Sequence, residues 1–174
     1  MKILLCFLVM GISVFAGRVL SEKYRRKERF YFDLVTFCTS FRVNLGYRRE
    51  TVWEVFRQNP YQKDFSEYAQ SMLGRSDEAA SAQDGRAKET PAGHAGETRV
   101  LKSLMISEQE ATYIDNFFRC LGKNDAESQS KEIEFYSKYF EKKLTEAQEN
   151  ARQKSPMAMK LSVLAGFLVC IMLI

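Results

Sequence analysis

Side chains that could carry out chemistry are few and far apart in this chain of 174 residues. His94 is the only histidine, so a histidine paired with a serine or cysteine nucleophile would have to use it. It lies in a polar stretch without aromatic or branched aliphatic residues, which cannot form a core.

The cysteines at positions 6, 38, 120 and 170 are too widely spaced for a CxxC redox pair or a zinc site. One disulfide, Cys38 to Cys120, is possible, and reduced thiols in a cytosol are the simpler interpretation. The sequence predicts that the protein is not an enzyme.

Acidic residues crowd one short stretch, with Asp125, Glu127, Glu132 and Glu134 close together. They coincide with the predicted start of a long helix, capped by Asp125, where the helix dipole stabilises negative charge. A metal or acid–base site is the alternative. The segments GYRR (46–49) and LGKND (121–125) lack the GxxxxGK(S/T) spacing of a phosphate-binding loop. We predict no cofactor, no metal and no small-molecule substrate.

The two ends of the chain are apolar, and its middle is polar. ILLCFLVMGISVFAG (3–17) and LSVLAGFLVCIMLI (161–174) contain no charged residue. A helix that spans a membrane needs about 20 apolar residues, and Arg18 and Lys160 can extend their charged groups toward the interface. We therefore predict transmembrane helices over residues 1–20 and 157–174. Since Gly11 and Gly17 are six positions apart, no GxxxG packing motif between helices is predicted.

Basic residues flank both apolar ends on the side of the polar middle. Six lie between Arg18 and Arg29, and three more are Arg152, Lys154 and Lys160. The positive-inside rule then places residues 21–156 in the cytoplasm, with the basic flanks as an anchor to the lipid bilayer. The net charge of +4 is too small to indicate nucleic-acid binding. The alternative topology is an exported or tail-anchored helical adaptor, whose residues 1–16 are removed as a signal peptide.

The middle of the chain is predicted to be helical. Apolar residues recur at spacings of three and four over 18–46 and again along a helix that ends near Ser155. Shorter helices are predicted over 51–56 and 64–73, and a further one from the capping box of Ser107 and Glu110 to Leu121, with Gly122 after its end. Gly74 is predicted to end the second of these, and 75–97 to form a mobile linker. The fold class is all-α, an antiparallel helical bundle over 21–156 flanked by two terminal transmembrane helices. The two long apolar stripes comprise Phe30, Leu34, Phe37, Phe41 and Leu45, and then Ile133, Tyr136, Phe140, Leu144, Ala147 and Ala151.

Two stretches carry a resemblance to a known family. LGKNDAESQ (121–129), four residues before Ile133, resembles the LGxxDxExQ…I stretch of the stage III sporulation protein AB family. VNLGY (43–47), followed by Val52 and Glu54, resembles the EIxY…PLxEA stretch of that family. Asn44 stands where the family usually has Glu, and Thr51 where it usually has Pro. The layout of two apolar ends around a helical middle also resembles that of the family.

The resemblance implies a membrane protein of endospore-forming bacteria that belongs to the channel-like complex linking mother cell and forespore. Its cytoplasmic bundle would be similar to that of the inner-membrane platform proteins of type II secretion and type IV pilus systems. We expect a non-enzymatic platform subunit in the mother-cell membrane around the forespore. Its implied partners are the ATPase-like protein AA of the same operon and the other membrane components. The candidate contact residues are polar and lie at predicted helix ends, where solvated caps are the alternative: Arg48, Arg49, Glu50, Lys123, Asn124 and Asp125.

Overall fold

The computed structural model describes residues 2–47, 51–81, 99–121 and 126–173. Regular structure in these residues is helical throughout, without a strand, which confirms the predicted all-α class. Two of the helices, α1 and α6, are much longer than the rest. The helices are α1 (Lys2–Tyr47), α2 (Val52–Gln58), α3 (Lys63–Ser81), α4 (residues 99–103), α5 (Glu108–Cys120) and α6 (Ala126–Leu173).

The chain divides into two compact units. One unit, the helix pair, consists of Met1–Glu28 and Thr145–Ile174, and the other, the bundle, consists of Arg29–Leu144. α1 and α6 contribute to both units. The predicted bundle boundaries, 21 and 156, therefore fall inside these two helices.

Aromatic rings fill the core of the bundle. The stripe predicted on α1 is buried from Phe30 to Phe41, and Leu45 is half-buried. The Phe37 side chain is fully buried, and its neighbours come from α1, α2, α3, α5 and the connection after α2. Edge-on and stacked arrangements of such rings stabilise a core beyond the apolar area that they bury. The ring centroids 6.0 to 6.5 Å from that of Phe37 belong to Phe41, Phe56, Tyr61, Phe65, Phe117 and Phe118.

Capping boxes begin two of the short helices. At α5, the predicted box is confirmed: the Ser107 hydroxyl accepts the Glu110 N–H at 3.3 Å, and the Glu110 carboxylate accepts the Ser107 N–H at 3.2 Å. At α2, Thr51 and Glu54 form the same reciprocal pair, although the sequence analysis did not identify it. Each box satisfies backbone N–H groups that the helix itself leaves unpaired.

Two predicted helix ends are wrong. α3 passes through Gly74 and continues to Ser81, so residues 75–81 of the predicted linker are helical. A single glycine inside a helix costs only about 1 kcal/mol, which does not force an end. α6 likewise passes through Pro156 to Leu173. Proline removes only one backbone hydrogen bond, which is a small loss in a helix of 48 residues. The rest of the linker, including His94, lies outside the described residues, and its mobility stays a prediction.

α4 ends in a Schellman motif, which turns the chain toward α5. The Ile106 N–H donates to the Leu101 carbonyl, and the Met105 N–H donates to the Lys102 carbonyl, both at 3.1 Å. Leu101 and Ile106 are buried, which is the hydrophobic contact that accompanies this motif. Met105 has a φ of 56°, in the left-handed region that glycine usually occupies at this position.

Candidate membrane anchor and partner-binding end

The helix pair is held together by small residues and hydroxyl groups. The Ser13 hydroxyl donates to the Ser162 carbonyl, and the Ser162 hydroxyl donates to the Ser13 carbonyl. The hydroxyl groups of Ser21 and Ser155 also form a hydrogen bond. Hydroxyl groups inside an apolar helix pair need such partners, because an unpaired polar group in hydrocarbon is costly.

Glycines let the two backbones approach closely between these serines. A Cβ atom added at Gly17 would lie 2.8 Å from the Ser162 Cβ, and one added at Gly166 would lie 3.0 Å from the Ser13 Cβ. Both glycines are buried. We call this contact the serine–glycine seam. Its members are Ser13, Gly17 and Ser21 of α1 and Ser155, Ser162 and Gly166 of α6.

The spacing of glycines alone does not reveal this seam, because serines occupy four of its six positions. The residues Ser13, Gly17 and Ser21 recur every four positions, and Ser162 and Gly166 do the same. This is the small-xxx-small pattern, of which GxxxG is one case. The pattern brings small residues to one helix face, so a search that included serine would have predicted that α1 and α6 pack against each other here.

The outer surface of the helix pair is apolar. Ile12 and Phe15 of α1 are 61% and 69% exposed, and Leu161 and Ile171 of α6 are 69% and 73% exposed. Large exposed apolar patches mark contact surfaces for lipid or protein. Among the described residues, one helix, α6 over Glu127–Met172, is long and apolar enough to cross a membrane by length and composition. The predicted span over residues 1–20 stays a prediction.

Charged residues begin at the same level on both helices. A Cβ atom at Gly17 would contact Ser162 and lie 3.4 Å from the Met159 Cα, and the next residues along the two helices are Arg18 and Lys160, both exposed. Beyond this level, the sequences 3–17 and 161–174 are uncharged. The helix pair therefore has an uncharged part and a basic part with a sharp border between them.

The predicted partner-contact residues lie outside the described residues: Arg48, Arg49, Glu50, Lys123, Asn124 and Asp125. The structure does describe the helix ends next to these residues, at the end of α1 and the start of α6. The hydrogen bond and the charge of Lys138 lower the pKa of Glu134 on α6, and the charge of Arg42 on α1 lowers it further. Arg42 near the end of α1 and Glu134 near the start of α6 are thus close enough for their charges to interact. Both predicted contact stretches follow or precede helix ends at this end of the bundle.

Part of the family motif contributes to the core near this end. Gln129 and Ile133 are buried, at 4% and 2% exposure. The Gln129 side-chain nitrogen has no hydrogen-bond partner among the described residues. Leu121 is buried as well. These motif positions are therefore packing residues, and polar contacts with a partner would have to come from the residues between them.

A buried carboxylate on α1 holds the start of α3. Asp33 is 6% exposed, and its Oδ2 accepts the Gln62 N–H at 2.8 Å, one residue before α3 begins. Burial raises the pKa of Asp33, and the Gln62 N–H partly offsets this effect. Tyr61 is adjacent, and burial raises its pKa to about 12. Sequence reasoning missed Asp33 because its partner lies 29 positions further along the chain.

The described cysteines are free thiols, so the possible Cys38–Cys120 disulfide is not formed. Cys38 is fully buried, and desolvation raises its pKa, which keeps the thiol protonated and unreactive. Within the described ranges, no group of three or more His, Cys, Asp or Glu side chains is arranged to hold a metal ion. The acidic stretch at the start of α6 includes Glu127, which pairs with Lys131 at 2.9 Å.

Comparison with known proteins gives one match. No curated protein and no solved structure matches the chain. The profile of the stage III sporulation protein AB family matches residues 2–174, which is essentially the whole length, and it includes both stretches that carry the resemblance. The chain belongs to the stage III sporulation protein AB family.

Proposed function

We propose that this protein is a membrane platform subunit of the complex that links mother cell and forespore during sporulation. The helix pair lies in the mother-cell membrane around the forespore, and the bundle faces the mother-cell cytoplasm. The observation that carries the proposal is the continuity of α6. One helix of 48 residues includes both the buried Ile133 of the bundle and the exposed Leu168 of the apolar end.

The composition of α6 supports this role over that of an isolated soluble bundle. Its C-terminal part exposes large apolar side chains, which in water would favour aggregation. A lipid environment would instead solvate them. α1 also runs without a break through Ala16 and Gly17, and Gly17 is buried against Ser162. This packing does not favour removal of residues 1–16.

The platform role assigns the docking of the cytoplasmic ATPase-like protein AA to the end of the bundle where α1 ends and α6 begins. The two polar stretches there, Arg48–Glu50 and Lys123–Asp125, carry charges of both signs. Charged groups at the rim of an interface steer and orient a partner. Since α1 and α6 each contribute to both the bundle and the helix pair, a partner docked on the bundle would act on the same two helices that enter the membrane.

The test is a binding measurement between the full chain in detergent and purified protein AA. Reversal of charge in Arg48→Glu/Arg49→Glu, or in Asp125→Lys, should raise the dissociation constant about ten-fold, a typical effect for interfacial charges. Lys102→Glu on α4, an exposed site, is the matched control and should bind as the wild type does. Wild-type affinity in both test variants would remove these residues from the proposal, and no binding by the wild type would refute docking to AA.

A further inference from the structure

The net positive charge of the chain is concentrated in the helix pair next to its uncharged part. We define the basic collar as the eight basic residues of segments 18–28 and 152–160 of the helix pair. The segments 18–28 and 152–160 contain eight basic and two acidic residues, a net charge of +6, whereas the whole chain has +4. The rest of the chain is therefore net negative, at −2. The members of the collar are Arg18, Lys23, Arg25, Arg26, Lys27, Arg152, Lys154 and Lys160.

The seam brings the two halves of the collar together. The Ser21–Ser155 hydrogen bond and the approach of Gly17 to Ser162 place segment 18–28 of α1 beside segment 152–160 of α6. Arg18, Lys23 and Arg25 are exposed on one helix, and Arg152, Lys154 and Lys160 are exposed on the other. A shallow depression on α1 is lined by Arg18, Val19, Glu22, Lys23 and Arg26. Both helices therefore expose basic side chains where the seam holds them together.

The level of the collar identifies its ligand. It begins directly at the border where both helices become uncharged and apolar, and at this level of a membrane the phospholipid headgroups lie. We infer that the basic collar binds anionic phospholipid headgroups and so prefers lipids with a net negative charge over zwitterionic ones. Arginine and lysine both bind phosphate oxygens through charge-assisted hydrogen bonds, and the exposed apolar residues of the helix pair begin directly beside the collar, where acyl chains would lie.

This inference rests on the membrane location in the proposed function but not on the docking of any ATPase. The test uses the full chain alone, so a failure here leaves the docking experiment unaffected, and a failure of docking leaves this one unaffected. The chain is reconstituted into nanodiscs of phosphatidylcholine mixed with an equal amount of phosphatidylglycerol. Native mass spectrometry then measures which lipid stays bound when the disc is removed.

The wild type should retain phosphatidylglycerol in at least about five-fold excess over phosphatidylcholine, because each basic residue near an anionic surface favours association. The triple variant R18Q/K23Q/K160Q should lose most of this excess. The matched control removes the same charge from exposed lysines of the bundle, in K63Q/K102Q/K142Q, and should keep the wild-type excess. Increasing salt should reduce the excess in the wild type, since exposed charges are screened.

Three outcomes would overturn the inference. An equal loss in both triple variants would assign the preference to net charge rather than to the collar. Displacement of the retained phosphatidylglycerol by inorganic phosphate alone would make the collar a site for free phosphate. Absence of any lipid excess, together with tight binding of a duplex oligonucleotide that the collar variant loses, would assign the collar to nucleic acid.

Discussion

α1 and α6 pack in two different ways in the two units to which they contribute. In the bundle, their buried residues are large, with Phe37 of α1 and Phe140 of α6 fully buried among other rings. In the helix pair, they meet through the serine–glycine seam, and the large apolar residues are exposed instead. Water drives apolar rings into a core, whereas lipid gives no such drive, so close backbone approach and hydrogen bonds must hold helices together. The difference teaches that the bundle has the packing that water favours, whereas the helix pair has the packing expected in the membrane location that we propose.

The largest expected effect tests the aromatic side of this comparison. Phe37→Ala removes the ring at the centre of the bundle core and should lower the free energy of unfolding by about 3 to 5 kcal/mol, because the lost burial and the cavity both destabilise. Denaturant titration of the full chain in detergent measures this change. Phe32→Ala on the same helix is the control, since Phe32 is 56% exposed and its loss should cost less than about 0.5 kcal/mol.

The next effect tests the seam. Gly17→Val should destabilise the helix pair by about 2 to 3 kcal/mol, because its side chain must occupy space already filled by Ser162 and the α6 backbone. Gly11→Val introduces the same residue into the same helix at a site with no atom within 4 Å and serves as the control. Thermal unfolding in detergent should show a lower midpoint for the first variant only. Equal midpoints would contradict close packing at the seam.

A smaller effect concerns the buried carboxylate that connects α1 to α3. Asp33→Ala leaves the Gln62 N–H without its acceptor and should cost about 1 to 2 kcal/mol. Asp33→Asn keeps an acceptor oxygen but cannot ionise. Burial raises the pKa of Asp33, so the folded state binds the proton more tightly than the unfolded chain does, and stability is lost as the pH rises through that raised pKa.

Asp33→Asn should therefore be more stable than the wild type at neutral pH and equal to it below the ordinary pKa of aspartate. Denaturant titrations across this acidic to neutral range measure the gap. A gap that stays constant with pH would show that ionisation of Asp33 does not oppose folding.

The smallest effect uses the turn after α4. Met105→Gly should raise the free energy of unfolding by about 0.5 to 1 kcal/mol, because glycine adopts a positive φ without the steric cost that other residues incur. Met105→Ala is the control that removes the same side chain but keeps the backbone cost, and it should not stabilise. A gain in both variants would trace the effect to the methionine side chain rather than to the backbone.

The parts of the fold that sequence predicted well rest on local patterns. The stripe on α1 and the capping box at Ser107 depend on residues three or four positions apart, and both are confirmed. The ends at Gly74 and Pro156 were predicted from residue type alone, and the structure shows helix through both. The contribution of one residue is small against the hydrogen bonds and packing of the turns on either side.

The missed contacts join residues that are distant in sequence. The small-xxx-small pattern indicates which helix faces pack, but not which residues meet. The pairing of Ser13 with Ser162 and of Asp33 with Gln62 depends on how the helices come together. For the candidate partner site, the contact residues are predicted from their polarity and their position at helix ends, and the partner is implied by the family resemblance. The described helix ends add that Arg42 of α1 lies near Glu134 of α6, which no spacing in the sequence indicates.

The central claim is that the chain is anchored in a membrane with its bundle in the cytoplasm, and cysteine labelling tests it most directly. Intact non-sporulating cells, in which the chain inserts into the cell membrane, express it with Cys6, Cys120 and Cys170 replaced by serine and are treated with a membrane-impermeant maleimide. One variant carries Glu67→Cys, an exposed site on α3, and the other carries a cysteine added at the C-terminus. The account predicts that the added terminal cysteine is labelled and that Glu67→Cys reacts only after lysis. Labelling of Glu67→Cys in intact cells would place the bundle outside and contradict the account.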